Sequence, residues 1–183
     1  LPALDAGGPD AAQAGRGAGA PDVDLSLTAA PAEMRVFDGA PTRVWRFTGR
    51  VERGPATALE TLPDSYLGPV IRLTRGQRVR IRFRNRLDEP SIVHWHGLDV
   101  PELADGHPRL AVAGGRDYTY DFTVTNRAGT YWYHPHPHMR TGAQVAASPG
   151  AAGAAWAAVA GWDVAGAWGE AAAWGWACRA WPP

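Results

Sequence analysis

The histidines are the residues whose spacing points most directly to chemistry in this chain. Six occur among its 183 residues, and four of them form two His-X-His pairs, His94 with His96 and His134 with His136. Residues i and i+2 of a β-strand point to the same side, so each pair places both imidazoles on one face. Two such pairs predict a metal site. Imidazole ligands suit copper, zinc or nickel, and the spacing alone does not choose copper over zinc.

The residues around the two pairs indicate stiff strand ends. Gly97 removes a side chain just beyond the first pair, so the backbone can bend or approach the site closely. Pro135 and Pro137 flank His136 and cannot donate to a sheet, which indicates an edge or the end of a strand. His138 continues the same alternation, and His107 lies in a predicted loop. We expect neither of these two histidines to bind the metal directly.

Alternation of period two predicts that the histidine pairs lie in an all-β domain over residues 23–145. Residues 78–84 alternate arginines with apolar side chains, and residues 118–125 alternate aromatic or apolar side chains with Thr and Asp. We interpret the arginine series as the outward, solvated face of a strand. Short strands punctuated by Gly, Pro and Asn, without a convincing amphipathic helix, predict an antiparallel sandwich or barrel.

Two segments outside this domain have a different composition. Residues 1–22 are rich in Ala, Gly and Pro and offer little to bury, which predicts a flexible leader. Residues 146–183 are rich in Ala, Gly and Trp, and we expect an irregular, low-complexity tail. Two interpretations of the tail stay open: GC-rich DNA translated out of frame, or a genuine appendage. The nucleotides downstream of the Val145 codon would distinguish them.

Charge and cysteine content exclude several classes of partner and site. The 18 basic and 18 acidic residues balance, so no global field would attract nucleic acid or an anionic membrane. The uncharged run at residues 150–162 is shorter than the roughly 20 residues that span a bilayer, so we expect no membrane span. The single cysteine, Cys178, excludes an intrachain disulfide and every metal site built on paired thiolates.

The two histidine segments resemble those of the multicopper oxidases, a family that includes laccases, bilirubin oxidases and bacterial cuprous oxidases. His94-Trp95-His96-Gly97 is similar to the first copper motif of the family. Tyr133-His134-Pro135-His136, followed by Arg140-Thr141-Gly142, is similar to the second. The resemblance covers residues 23–145 and implies an N-terminal, cupredoxin-like Greek-key β-sandwich. It also implies copper as the metal and a periplasmic or secreted location.

The resemblance further implies a role for each site residue. His94 would bind the type 2 copper, and His96, His134 and His136 would bind the type 3 pair. Asp105 stands where the family has an acidic residue that helps deliver protons to dioxygen, so it is a candidate catalytic residue. A plain Asp-Gly turn is the alternative for Asp105.

The chain also departs from the family. Four histidines match, where the family's trinuclear cluster uses eight, and the His-Cys-His segment of the type 1 copper has no counterpart. Cys178 has no histidine in its segment and is not that ligand. The family continues into a closing strand after the residues that match Gln144-Val145, whereas in this chain the tail follows them. We therefore expect a domain incomplete at its C-terminal end, marginally stable and prone to aggregate.

Three functions remain open on this basis. The first is half of a type 2/type 3 copper site that reduces dioxygen to water, coupled to one-electron oxidation of a substrate that the sequence does not identify. A missing C-terminal cupredoxin domain would supply the other half, so we expect this chain alone to be inactive. The second is a non-catalytic copper- or zinc-binding module. The third, a scaffold without metal, is disfavoured because both His-X-His pairs are retained.

Overall fold

The computed structural model describes residues 19–35, 38–63, 65, 67–146 and 155–160. About half of these residues lie in β-strands and only six lie in an α-helix, which confirms the predicted all-β class. Cys178 and most of the predicted leader and tail lie outside the described residues. Within the described ranges, the strands and the α-helix are β1 (Val23–Met34), β2 (Thr42–Arg53), β3 (Leu59–Glu60), β4 (Val70–Thr74), β5 (Arg78–Asn85), β6 (Val93–His96), β7 (Asp117–Thr123), β8 (Gly129–Pro135), α1 (Thr141–Ala146) and β9 (Ala155–Ala160).

The strands form two sheets that pack face to face. The four-stranded sheet has the order β2-β1-β5-β7, and the five-stranded sheet has the order β3-β4-β9-β8-β6. Rings from the two sheets meet in the core, where Phe47 lies 5.5 Å from Tyr133 and Trp95 lies 5.2 Å from Tyr120 between ring centroids. The arrangement is a β-sandwich, in which the inner faces of both sheets supply the core.

Two strand pairs are parallel, β1 with β5 and β4 with β9. The sequence predicts an antiparallel sandwich or barrel, and these two parallel pairs differ from that prediction. Side chains alternate between the two faces in parallel and antiparallel strands alike, so the period-two pattern carries no information about strand direction. The alternation itself is as predicted, because Val79, Ile81 and Phe83 of β5 are fully buried.

The arginines of β5 face outward, as predicted, and they pair with acidic residues of the neighbouring strands. Arg78 and Arg80 both donate to the carboxylate of Asp121, at 2.9 Å, and Arg82 donates to Asp24 at 3.0 Å. Burial tends to raise the pKa of Asp121, but the hydrogen bonds and charges of Arg78 and Arg80 outweigh it and lower the pKa. This face is therefore an ordered ion-pair network rather than a merely solvated surface.

The structure differs from the expected leader and tail at two places. Asp22, placed in the leader by its composition, exchanges two hydrogen bonds with Arg78, since its N–H donates to the Arg78 carbonyl and its carboxylate accepts from the Arg78 N–H. Within the expected irregular tail, β9 pairs with both β4 and β8, so it covers edges that the sequence predicts to be exposed. The pairing of β9 with β4 and β8 is made by backbone N–H and carbonyl groups, so the amino-acid composition of the segment does not predict it.

No helix among the described residues is long and apolar enough to cross a membrane.

Candidate metal centre

The two histidine segments lie side by side in the five-stranded sheet. β6 pairs with β8 in an antiparallel register that places His94 opposite His134 and His96 opposite Trp132. Beyond the last paired residues, the N–H of His136 donates to the Ile92 carbonyl at 2.8 Å. Alternation along each strand then puts all four imidazoles on the same face of the sheet. We call this group the imidazole cluster: His94, His96, His134 and His136.

The rings of the imidazole cluster are close neighbours. Ring centroids lie 5.1 Å apart for His94 and His136, 5.4 Å for His94 and His134, and 5.7 Å for His134 and His136. One ligand nitrogen each from His94, His96 and His134 falls in a group whose members lie within 4.8 Å of one another. Two imidazoles on one zinc or copper ion have nitrogens at most about 4 Å apart, because each metal–nitrogen bond is about 2 Å. These three nitrogens therefore lie close to the spacing that one ion requires, and a small inward movement would bring them within it.

Hydrogen bonds fix the orientation of two of the rings. His94 Nδ1 lies 2.6 Å from the backbone carbonyl of Asp105, and His134 Nδ1 lies 2.9 Å from the carbonyl of Pro135. A carbonyl oxygen only accepts, so in the neutral form of each ring Nδ1 carries the proton and Nε2 keeps its lone pair. Metal-binding histidines commonly have this arrangement, in which the second ring nitrogen donates to an oxygen of the protein. His94 and His134 are therefore set to bind a metal through Nε2.

Two ring nitrogens of the cluster have the buried, unpartnered environment of a metal ligand, although only His134 of these two belongs to the close group of ligand nitrogens among the described residues. His134 Nε2 and His136 Nδ1 are buried, and neither has a hydrogen-bond partner among the residues that the structure describes. Leaving a buried polar atom unpaired costs about 1–3 kcal/mol, so such atoms need an explanation. A bound metal ion would satisfy a ring nitrogen whose lone pair faces the cluster.

The surroundings of His134 favour its neutral form. Burial is the main cause that lowers the pKa of His134, and the neighbouring imidazoles lower it further, against an opposing effect of the Pro135 carbonyl. Neutral imidazole is the form that binds metals. His134 itself is 5% exposed, whereas His96 is exposed. Within the cluster, His134 is therefore shielded from solvent and His96 is accessible to it.

Two tyrosines of β7 hold the first histidine segment in place. The hydroxyl of Tyr120 accepts from the N–H of Val93 at 2.9 Å and donates to the Val93 carbonyl at 3.0 Å. Because β6 is an edge strand of its sheet, this hydroxyl pairs backbone groups that no neighbouring strand reaches. The Tyr118 hydroxyl donates to the Leu103 carbonyl at 2.6 Å and so anchors the loop that leads to Asp105.

Gly106 lets that loop pack directly against β6. Its φ is +79°, and a Cβ at this position would overlap the carbonyl group of Val93. A residue with a side chain would push the loop away and with it the Asp105 carbonyl that orients His94. The Asp-Gly pair is therefore a turn, as the alternative interpretation of Asp105 has it, and it also brings Asp105 to the cluster. The nearer carboxylate oxygen of Asp105 lies 3.4 Å from His94 Nδ1.

Trp132 belongs to this face although the sequence analysis does not single it out. Its ring stacks on His134 at 4.2 Å between centroids, with 30° between planes, and lies 4.8 Å from the ring of His96. The alternation that puts His134 and His136 on one face includes Trp132, two residues earlier. That pattern was the signal that could have identified it.

The remaining histidines are placed differently. The side chain of His107 is exposed, and its Nδ1 accepts the N–H of Arg109 at 3.2 Å, so it caps the short 3₁₀ turn Pro108–Leu110. His138 is exposed beyond the second pair. Neither belongs to the close group of ligand nitrogens found among the described residues.

Known proteins resemble this chain over the region that carries the cluster. The family model described as multicopper oxidase matches residues 46–155. The multicopper oxidase MmcO of Mycobacterium tuberculosis is 36% identical over 129 residues, which is 69% of this chain and 22% of that protein. The multicopper oxidase mco of Staphylococcus aureus is 43% identical over 81 residues, 44% of this chain and 18% of that protein.

Solved structures give the same result. The McoA multicopper oxidase of Aquifex aeolicus is 35% identical, with a TM-score of 0.59 over 76% of this chain and 27% of that one. A laccase of Pediococcus acidilactici is 29% identical, with a TM-score of 0.62 over 75% of this chain and 26% of that one. The chain thus spans about a fifth to a quarter of the length of these relatives.

Proposed function

The chain belongs to the multicopper oxidase family, and we propose that its imidazole cluster binds copper as one half of a trinuclear type 2/type 3 site. The observation that carries the proposal is the convergence of four imidazoles with two buried ring nitrogens that have no partner among the described residues. A donor set of imidazoles alone suits copper or zinc and disfavours calcium and magnesium, which require oxygen ligands. Family membership favours copper over zinc.

The open side of the cluster supports the idea of a half-site. His96 is exposed, so ligands from another domain can approach the cluster from that side. By resemblance, His94 would serve the type 2 copper and the other three imidazoles the type 3 pair, with a further cupredoxin domain supplying the remaining ligands. The spacing of the nitrogens, up to 4.8 Å within the closest group, is compatible with more than one metal position. That group includes His94, so the geometry does not by itself separate the two copper types.

When bound, copper supplies the one-electron chemistry by which dioxygen is reduced to water. The chain's own residues would orient the ligands and handle protons. The Asp105 carbonyl holds the proton of His94 on Nδ1 and directs Nε2 to the cluster. The Asp105 carboxylate is 41% exposed and lies 3.4 Å from His94 Nδ1, so it is accessible to water beside the cluster. We assign it the positioning of protons for the reaction, as the resemblance implies.

The amount of copper that the chain retains after equilibrium dialysis tests the proposal. We expect the wild-type chain to retain more than one copper ion, and the double variant His94→Ala/His134→Ala to lose retention. The matched control, His107→Ala/His138→Ala, also removes two imidazoles and should retain as much copper as the wild type. Retention of a single ion would favour the alternative, a non-catalytic copper- or zinc-binding module. Equal retention by both double variants would refute a site at the cluster.

We further propose that the 183-residue chain alone sustains no oxidase turnover, because the ligands of a type 1 copper and half of the trinuclear ligands have no match in its sequence. Oxygen uptake with a phenolic donor and added copper measures this directly. Uptake at background level is expected, and sustained uptake would overturn the proposal. A periplasmic or secreted location is likewise proposed on the resemblance, and fractionation of cells that produce the whole protein would test it.

A further inference from the structure

A hydrogen-bonded network joins the segment after the second histidine pair to the segment before the first. Gln144 of α1 donates to the Glu89 carboxylate at 2.7 Å and to the Pro90 carbonyl at 2.9 Å. Its side-chain oxygen accepts from the Ser91 hydroxyl at 2.8 Å. The Arg140 guanidinium also donates to the Glu89 carboxylate, at 2.8 Å. We call these four side chains the clasp: Glu89, Ser91, Arg140 and Gln144.

The clasp is built around a fully buried amide. Gln144 is 1% exposed and Ser91 is fully buried. Both N–H groups and the oxygen of the Gln144 side chain have partners, so the amide is satisfied at the positions that its chemistry offers. A satisfied buried network specifies one arrangement of the chain, because any other arrangement would leave its polar atoms unpaired.

The second histidine segment needs such a constraint at His136. The paired residues of β6 and β8 end at Val93 and Pro135, and Pro135 and Pro137 have no N–H to donate. One backbone hydrogen bond, from His136 N–H to the Ile92 carbonyl, continues the ladder at this point. The chain then turns into α1, where the Thr141 hydroxyl donates to the Pro137 carbonyl at 3.0 Å. His136 therefore lies between the ladder and the clasp.

We propose that the clasp positions His136 in the imidazole cluster, with Gln144 as its central residue; this inference rests on the proposed copper site. Glu89 and Ser91 precede β6, which carries His94 and His96, whereas Arg140 and Gln144 follow His136. The clasp thus joins the two histidine segments where the strand ladder stops, and it sets the 5.1 Å separation of the His94 and His136 rings. None of its members contacts the metal; they act through the backbone.

Arg140→Gln is the main test, with Arg72→Gln as a matched control. Both arginines are exposed to a similar degree, 54% and 51%, and each pairs with one glutamate, but the Arg72–Glu60 pair joins β4 to β3 away from the histidine segments. Gln144→Leu removes the centre of the clasp at similar volume. We expect both clasp variants to bind Cu²⁺ several-fold more weakly than the wild type, with the larger loss in Gln144→Leu, whose side chain is buried. We expect Arg72→Gln to bind Cu²⁺ as the wild type does.

A metal-free measurement separates positioning from stability. In the imidazole NMR spectrum of the apo chain, we expect Arg140→Gln to change the signals of His136 and leave those of His107 unchanged. If Gln144→Leu does not fold, the Arg140→Gln variant alone tests the inference, because Arg140 is exposed and its replacement disturbs the fold less. Wild-type affinity together with unchanged His136 signals in Arg140→Gln would overturn the inference. Failure of the wild type to bind Cu²⁺ would instead refute the proposed copper site, and the apo spectrum would still test the clasp.

Discussion

The Tyr120 hydroxyl provides a sharp test of how the first histidine segment is held. Tyr120 and Val93 are fully buried, and the hydroxyl pairs with both the N–H and the carbonyl of Val93. Tyr120→Phe removes only this oxygen and keeps the ring that packs on Trp95. Two backbone groups then remain buried without a partner, next to the first ligand of the cluster.

The expected loss of stability follows from the free-energy cost of each unpaired backbone group. A buried donor or acceptor left without a partner costs about 1–3 kcal/mol, so two of them lower the free energy of unfolding by roughly 2–4 kcal/mol once partial relaxation is allowed. For a chain of this size that corresponds to a fall in Tm of roughly 5–15 °C. Domains are stable by only about 5–15 kcal/mol, so the change is a large part of the total.

Urea unfolding of the apo chain, followed by tryptophan fluorescence, measures this loss. Tyr131→Phe is the matched control, because the Tyr131 hydroxyl donates to the Arg127 carbonyl at an exposed position. We expect the control to change the free energy of unfolding by less than about 0.5 kcal/mol. A Tyr120→Phe variant no less stable than Tyr131→Phe would refute the argument that this hydroxyl pairs the edge of β6.

Three further predictions concern the loop beside His94 and the acid stability of the sandwich. Gly106→Ala should weaken Cu²⁺ binding in a chelator competition, since the added Cβ would displace the Asp105 carbonyl that orients His94; wild-type affinity would contradict it. Asp105→Ala keeps that backbone carbonyl and should bind Cu²⁺ nearly as the wild type does, so a large loss would show that the carboxylate is the orienting group. The pKa of Asp121 is lowered in the folded chain. The ionised carboxylate therefore stabilises the fold at a pH above the ordinary carboxyl pKa of about 4, and this stabilisation is lost as the pH falls below that value. The difference in unfolding free energy between the wild type and Asp121→Asn should therefore shrink below about pH 4, and a constant difference in urea unfolding would contradict this.

The face shared by the histidines could be predicted because alternation is a local property. In each His-X-His pair the intervening residue points to the other face, and the structure shows Trp95 in the core between two histidines. The resemblance to the multicopper oxidases is confirmed. The register that places His94 opposite His134 could not be read from either segment alone, because it depends on how two segments distant in sequence pair.

The supporting residues were harder to predict for the same reason. Gln144 and Glu89 are separated by 55 positions, and their contact depends on the turn that carries the chain into α1. Tyr120 belongs to the alternating series of residues 118–125, but the partner of its hydroxyl on β6 follows from how the two sheets pack. Hydrophobic patterning predicts which side chains are buried; it does not predict which polar atoms meet.

The most direct test of the copper site is the nitrogen NMR spectrum of the six imidazole rings before and after addition of Zn²⁺, a diamagnetic stand-in for copper. Metal binding should shift the ring signals of the imidazole cluster and leave those of His107 and His138 in place. Shifts confined to His107 or His138, or no shift in any ring of the cluster, would contradict the proposal that these four side chains form one metal-binding face.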